Sequence, residues 1–66
     1  MQNILLKNAR RKRGVTTKEI AEAIATHEQI YLLCEQGVRD LTQKEREKIR
    51  VYLNLSDSEY QKIFVE

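Results

Sequence analysis

The sequence predicts an all-α fold of five short helices, and three observations support this prediction. Apolar residues recur at helical spacing, and no stretch alternates apolar and polar residues as a half-buried strand does. Proline is absent, and the two glycines, Gly14 and Gly37, stand where helices commonly end. Four Ser/Thr-x-x-Glu/Gln pairs, which are typical of helix starts, occur at Thr16 and Glu19, Thr26 and Gln29, Thr42 and Glu45, and Ser56 and Glu59.

The first three helices are predicted over residues 3–13, 17–24 and 28–36. The first ends in the basic run 10–13, which suits the negative end of a helix dipole, and Gly14 follows it. The second begins at the Thr16 pair and carries an apolar stripe of Ile20, Ala21 and Ile24. The Thr26 pair marks the start of the third helix, which stops before Gly37.

The last two helices are predicted over residues 43–53 and 57–64, after the Thr42 and Ser56 pairs. Their apolar positions complete one core, so we expect a single domain that spans residues 1–66. Cys34 is expected to fill that core as a small apolar side chain. The other expected core residues are Leu5, Leu6, Ala9, Ile20, Ala21, Ile24, Tyr31, Val38, Leu41, Ile49, Tyr52, Leu53, Leu55, Tyr60, Ile63 and Phe64.

Length and composition exclude several classes of protein. A domain of this size buries only about 60% of the surface that its unfolded chain exposes, which leaves no room for a large substrate cavity. The longest apolar run, Ile30–Cys34, has five residues, so neither a membrane-spanning helix nor a secretory signal is expected. One cysteine and one histidine, His27, exclude an intrachain disulfide and a four-ligand zinc site. We therefore expect a cytoplasmic protein without cofactor.

The charge of the chain is divided unevenly. Residues 1–18 hold six basic and no acidic side chains, whereas the rest of the chain holds six basic and ten acidic ones. A cationic segment on an otherwise acidic domain indicates either a surface for a polyanion or a solvated helix face. No nucleophile–base pair or phosphate-binding loop accompanies it, so we expect no enzymatic activity.

The second and third predicted helices are short and are joined by residues 25–27 alone. Such a connection is typical of a helix-turn-helix, in which the second helix crosses the first. In DNA-binding proteins of this type, the second helix presents its N-terminal residues to base edges in the major groove. The pattern therefore favours a double-stranded DNA ligand.

Four segments together resemble the phage repressor and Cro proteins, the XRE family of transcription regulators. Residues 6–17 are similar to the family's first helix and the Gly-Leu-Thr-Gln segment that follows it. Residues 19–24 resemble its Glu-Leu-Ala segment, and residues 35–39 resemble its Glu-Asn-Gly-Lys-Arg segment. Residues 49–60 are similar to its last two helices, with Leu-Asn-Leu-Ser at 53–56 in place of Leu-Gly-Val-Ser. The resemblance runs without gaps from about residue 5 to 64, and it implies a five-helix lambda-repressor-like DNA-binding domain.

The chain departs from the family pattern at several positions. Ala25 stands where the family has its turn glycine, so this residue must accept an unfavourable backbone conformation or the turn must differ. Thr17 replaces the usual glutamine at the start of the second helix, and Thr26 replaces a valine. Glu45 and Arg46 stand where the fourth helix is usually apolar.

The resemblance assigns roles to individual residues. It implies that bases are contacted from the third helix by His27, Glu28, Gln29, Leu32 and Leu33. Glutamine can pair with adenine through two hydrogen bonds, glutamate can accept from cytosine N4, and an apolar side chain can touch a thymine methyl group. Phosphate contacts would come from Arg13, Thr16, Thr17, Gln36, Gly37 and Arg39, and Arg10 and Glu35 would form a buried structural ion pair.

Two features leave the type of partner open. The predicted third helix contains no lysine or arginine, and its outer face carries Leu32 and Leu33. An exposed apolar pair can also bind protein, so a helix-turn-helix protein that binds another regulator, like an antirepressor, is the alternative. So small a DNA-binding domain is expected to act as a homodimer. The last helix would supply the dimer surface through Tyr60, Ile63, Phe64 and Val65.

Overall fold

The computed structural model describes residues 3–65, and the regular secondary structure of this part of the chain is helical, without a strand. The all-α prediction is confirmed. The elements are α1 (Ile4–Lys12), α2 (Thr17–Ala23), α3 (Glu28–Glu35), α4 (Gln43–Leu53) and α5 (Asp57–Tyr60), followed by a π-helical turn, Gln61–Val65. The first four predicted helices agree with these bounds to within one residue at each end. The fifth is shorter than predicted, because its second half winds as a π-helix.

Three of the four predicted capping pairs are confirmed. At Thr16, Thr42 and Ser56 the hydroxyl accepts a backbone N–H three residues on, and the glutamate there accepts the N–H of the capping residue. The fourth pair, Thr26 and Gln29, is wrong: α3 begins at Glu28 as predicted, but its capping residue is His27, whose side chain makes no capping bond. Thr26 belongs to the preceding turn, where its N–H donates to the carbonyl of Ala21 at 2.9 Å.

Both predicted helix ends at glycine are confirmed. Gly14 and Gly37 have φ angles of 68° and 80°, in the left-handed region that glycine enters without steric cost. Two other residues share this conformation: Ala25 with φ 58° between α2 and α3, and Asn54 with φ 54° at the end of α4. In the turn between α2 and α3, an alanine therefore adopts a conformation that glycine would adopt without steric strain.

The core lies where α1, α2, α3 and α4 meet, and the last turn of the chain closes it. Leu6, Ile20, Tyr31 and Ile49 are fully buried at its centre. Ala9, Ala21, Ile24, Leu53 and Leu55 complete it, and Val15, Leu41, Ile63 and Phe64 pack against its edge. Cys34 is buried beside it, as expected.

Three residues predicted for the core are instead exposed: Leu5 by 52%, Val38 by 72% and Tyr52 by 44%. Leu5 lies outside the α1 stripe of Leu6, Ala9 and Arg10 that faces inward. Tyr52 likewise lies beside the buried stripe of α4, and Val38 follows the end of α3.

A buried ion pair fixes α3 to α1. The Nε–H of Arg10 donates to Glu35 at 2.7 Å, and both side chains are at least nine-tenths buried. The hydrogen bond to Glu35 raises the pKa of Arg10. A second guanidinium N–H of Arg10 donates to the Val15 carbonyl at 2.7 Å, so the same side chain also holds the segment that leads into α2.

Candidate nucleic-acid interface

The α2–α3 junction (residues 24–29) determines how α3 leaves the body of the domain. Ile24 ends α2, and Ala25 then reverses the chain in its left-handed conformation. The N–H of Ala25 donates to Glu22 at 3.1 Å, so the turn is closed by backbone bonds alone. Because α2 and α3 pack against each other directly after this turn, the start of α3 is held in one orientation.

The start of α3 is open to solvent. His27 and Gln29 are exposed, and Glu28 between them is half-buried. No side chain caps the first N–H groups of the helix, in contrast to the starts of α2, α4 and α5. Polar side chains and unbonded N–H groups therefore occupy the same helix end.

Thr17 and Glu28, expected to contact phosphate and base respectively, are brought together. The Thr17 hydroxyl donates to the Glu28 carboxylate at 2.5 Å and so joins the start of α2 to the start of α3. This bond orients the Glu28 side chain, whose oxygens can only accept hydrogen bonds while it is ionised. A carboxylate at this position repels a nearby phosphate group, but it can accept a hydrogen bond from an amino group.

A cleft of about 230 Å³ lies between α1, the start of α2 and α3. Lys7, Thr17, Leu32 and Gln36 line it, above the Arg10–Glu35 pair. Lys7 was not among the predicted phosphate contacts, although it lies one helical turn before Arg10 and therefore on the same face of α1. Helical spacing from Arg10 is thus the sequence signal that could have identified it.

Thr16 is engaged within its own helix. Its hydroxyl accepts the N–H of Glu19 at 3.1 Å, and its N–H donates to the Glu19 carboxylate at 3.0 Å. The hydrogen bond from the Thr16 N–H lowers the pKa of the Glu19 carboxyl group. The Thr16 hydroxyl retains its own hydrogen, which can still be donated outward.

Beyond α3, two expected phosphate contacts are already bonded within the chain. The Gly37 N–H donates to Cys34 at 3.2 Å. The Arg39 guanidinium donates to the Cys34 sulfur at 3.3 Å and lies 3.6 Å from Glu45. The contact with Cys34 raises the pKa of Arg39. The Gln36 N–H donates to the Leu32 carbonyl at 3.0 Å, but its side chain is exposed and makes no hydrogen bond with residues 3–65.

Arg13, also expected at phosphate, is bonded within the chain. Its guanidinium donates to the Leu53 carbonyl, to the Ala9 carbonyl at 3.1 Å, and to both carboxylate oxygens of Glu59 at 3.0 and 3.1 Å. These donors hold α1 to the end of α4 and to α5, and a phosphate contact by Arg13 stays a prediction. The sequence did not indicate these internal bonds of Arg13, because a run of four basic residues (10–13) does not show which of their side chains turn inward.

The two leucines of α3 differ in exposure. Leu32 is half-buried in the cleft beside Lys7, whereas Leu33 is 39% exposed on the outer face of the helix. The outer face of α3 thus carries one exposed leucine rather than a pair.

The expected dimer surface is partly covered by the chain itself. Ile63 and Phe64 pack against the core, and the rings of Tyr60 and Phe64 lie 5.1 Å apart. Val65 alone of the four residues is largely exposed, by 62%. The π-helical turn that carries these residues packs on α1.

No family model, curated protein or solved structure matches the chain. Over residues 3–65, no helix has the length and apolar character needed to cross a bilayer. In the same part of the chain, no group of three or more potential metal ligands is close enough to hold an ion.

Proposed function

We propose that the chain is a cytoplasmic, sequence-specific DNA-binding transcription regulator of the phage repressor and Cro type. In this proposal α2 and α3 form a helix-turn-helix, and the start of α3 enters the major groove. The observation that supports it most directly is the open end of α3, where His27 and Gln29 are exposed and no side chain covers the helix N–H groups.

The cleft beside α3 offers the phosphate contacts that such binding needs. Lys7, Thr17 and Gln36 line it; Lys7 supplies a cation and Gln36 supplies amide donors, whereas the Thr17 hydroxyl already donates to Glu28. Lys18 is exposed on the first turn of α2. Phosphate contacts supply most of the affinity of a DNA-binding protein, and here they would come from α1 and α2 because α3 has no cation.

Base contacts would come from the α3 side chains that point away from the core. Gln29 is exposed and can pair with adenine through two hydrogen bonds. Glu28 can accept from cytosine N4 while it keeps the hydrogen bond from Thr17. Leu33 can contact a thymine methyl group.

A homodimer on two half-sites remains part of the proposal. Its surface would include Leu5 as well as the C-terminal turn, since Leu5 and Ile63 line one shallow cleft and Leu5 and Val65 are both exposed.

The test begins with selection of bound duplexes from a random oligonucleotide pool, followed by fluorescence anisotropy on the selected duplex and on a scrambled one. We expect Gln29→Ala to lose about 1–3 kcal/mol of discrimination between them. Gln43→Ala, which changes an exposed glutamine in the first turn of α4, is the matched control and should change nothing.

Salt titration tests the phosphate contacts separately. Lys7→Gln should weaken binding to both duplexes and reduce the slope of log affinity against log salt by about one. Lys44→Gln, an exposed lysine on α4, should leave the slope unchanged. Failure of the wild-type chain to bind any duplex at low salt would refute the DNA-binding proposal.

One observation favours the alternative, in which the same helix binds another regulator protein. Leu33 is exposed on α3, a helix that carries two glutamates and no cation. If a protein partner is found, Leu33→Lys should abolish the complex, while Gln29→Ala should have little effect. An intact complex with the Leu33 variant would argue against this alternative.

A further inference from the structure

The hydrogen bond from Thr17 to Glu28 uses the only hydrogen of the Thr17 hydroxyl group. Both side chains are half-buried, at the places where α2 and α3 begin. While this bond is made, the Thr17 hydroxyl cannot also donate to a DNA phosphate. The bond instead restrains the direction of the Glu28 carboxylate.

The Glu28 carboxylate keeps one oxygen without a partner. The bond from Thr17 reaches Oε2, whereas Oε1 makes no hydrogen bond with residues 3–65 and retains contact with solvent. Within this part of the chain Glu28 also belongs to no ion pair. Because an ionised carboxylate only accepts hydrogen bonds, a partner for Oε1 must be a donor.

Cytosine is the base whose major-groove edge suits such an acceptor. It presents the N4 amino donor and no acceptor there, whereas guanine presents N7 and O6, thymine presents O4, and adenine places N7 beside its amino group. A carboxylate is therefore attracted by cytosine and meets an acceptor on each of the other bases. In addition, α3 has no lysine or arginine, the side chains that most often bind guanine.

The two amino hydrogens of a paired cytosine have different partners. One is bonded to guanine within the base pair, and the other faces the major groove. A methyl group on N4 takes the groove-facing place, because the remaining hydrogen is needed for the base pair. A carboxylate that approaches N4-methylcytosine therefore meets a methyl group in place of a donor.

We propose, on the basis of the DNA binding proposed above, that Glu28 selects one unmodified cytosine in each half-site and that N4-methylation of this cytosine blocks binding. Thr17 is the positioning residue of this contact, since its hydroxyl holds Oε2 and leaves Oε1 for the base. The regulator thus distinguishes unmethylated from N4-methylated DNA.

The test measures fluorescence anisotropy of the wild-type chain on the selected duplex, with each cytosine of a half-site replaced in turn by N4-methylcytosine. We expect one position at which affinity falls about tenfold, because the carboxylate leaves water and finds no donor. Glu28→Ala should bind the methylated and unmethylated duplexes equally well. Gln29→Ala, which changes the exposed neighbour, should keep the preference for the unmethylated duplex.

Thr17→Val tests the positioning role, because it removes the hydroxyl and nearly preserves the shape of the side chain. This variant should lose most of the preference for the unmethylated duplex, whereas Thr17→Ser retains a hydroxyl and should keep it. Thr26→Val makes the same substitution in the adjacent turn, at a side chain that caps no helix, and should also keep the preference.

The outcomes separate this proposal from the DNA binding on which it rests. If the wild-type chain binds its selected duplex but no N4-methylcytosine weakens binding, the cytosine contact is overturned while DNA binding stands. A selected half-site without cytosine has the same consequence. If Thr17→Val weakens binding to both duplexes equally, the positioning role of Thr17 is overturned. If the wild-type chain binds no duplex at low salt, both proposals fail.

Discussion

The sequence predicts a threonine cap for both α3 and α4, yet the starts of these helices are built in different ways. Thr42 and Glu45 close a complete capping box on α4, whereas Thr26 lies in a turn and His27 leaves α3 uncapped. Natural sequences tend to break local rules where function requires it. The contrast supports a division of the molecule into an open α2–α3 junction and a well-capped α4–α5 unit (residues 42–60).

The two regions also turn the chain differently. In the α4–α5 unit the left-handed residue is Asn54, a residue type that tolerates this conformation. At the α2–α3 junction it is Ala25, which does not. The open region is thus also the one with unfavourable backbone geometry, and other contacts must compensate for it.

The largest expected effect concerns the ion pairs that fix each region. Glu35→Ala leaves Arg10 buried without its partner and should cost about 3–5 kcal/mol of unfolding free energy. In the α4–α5 unit, Asp57→Asn removes the partner of Arg50 from a pair on the surface, where the loss should stay below about 1 kcal/mol. Urea unfolding followed by circular dichroism measures both.

Equal losses from the two variants would contradict this comparison. A double variant, Arg10→Met with Glu35→Leu, adds a further check, because a pair of apolar side chains should recover much of the stability that Glu35→Ala loses.

The second prediction concerns the helix starts. Thr42→Ala removes the cap of α4 and should cost about 1 kcal/mol, within the range known for such residues. Thr26→Ala should cost much less, since the Thr26 side chain caps no helix. Similar losses at both positions, measured by urea unfolding, would show that α3 is capped in solution by the residue that the sequence pattern indicates.

The sequence allowed much of the scaffold to be predicted. Helix bounds followed from spacing and capping pairs, because these are local properties of the chain. The capping pattern failed at Thr26, because the residue that precedes α3 is His27 and Thr26 lies in the turn after Ala25. Which cations remain outward could not be predicted, because Arg13 meets Glu59 only once distant helices pack, and Arg39 meets Glu45 only through the path of the α3–α4 connection.

The third prediction compares the two left-handed residues. Ala25→Gly should stabilise the fold by about 0.5–1 kcal/mol, because glycine removes steric strain that exceeds its own entropic cost. Asn54→Gly should change stability less, since asparagine already tolerates this conformation. Thermal melts of both variants provide the measurement, and a lower melting temperature for Ala25→Gly would contradict the strained turn.

The smallest expected effect is a pH dependence that differs between the two regions. The hydrogen bond from Arg13 and the capping bond at Ser56 lower the pKa of Glu59, whereas Glu19 has only the bonds from Thr16. Because this pKa is lowered in the folded state, the carboxylate stabilises the fold at pH values above the pKa of the unfolded chain, near 4.5. That contribution is lost as the pH falls through the lowered pKa.

Urea unfolding between pH 7 and pH 3 measures how the free energy of unfolding decreases with falling pH. We expect this decrease to be reduced more by Glu59→Gln than by Glu19→Gln. If Glu19→Gln reduces this decrease more than Glu59→Gln does, the Arg13 contact contributes little in solution.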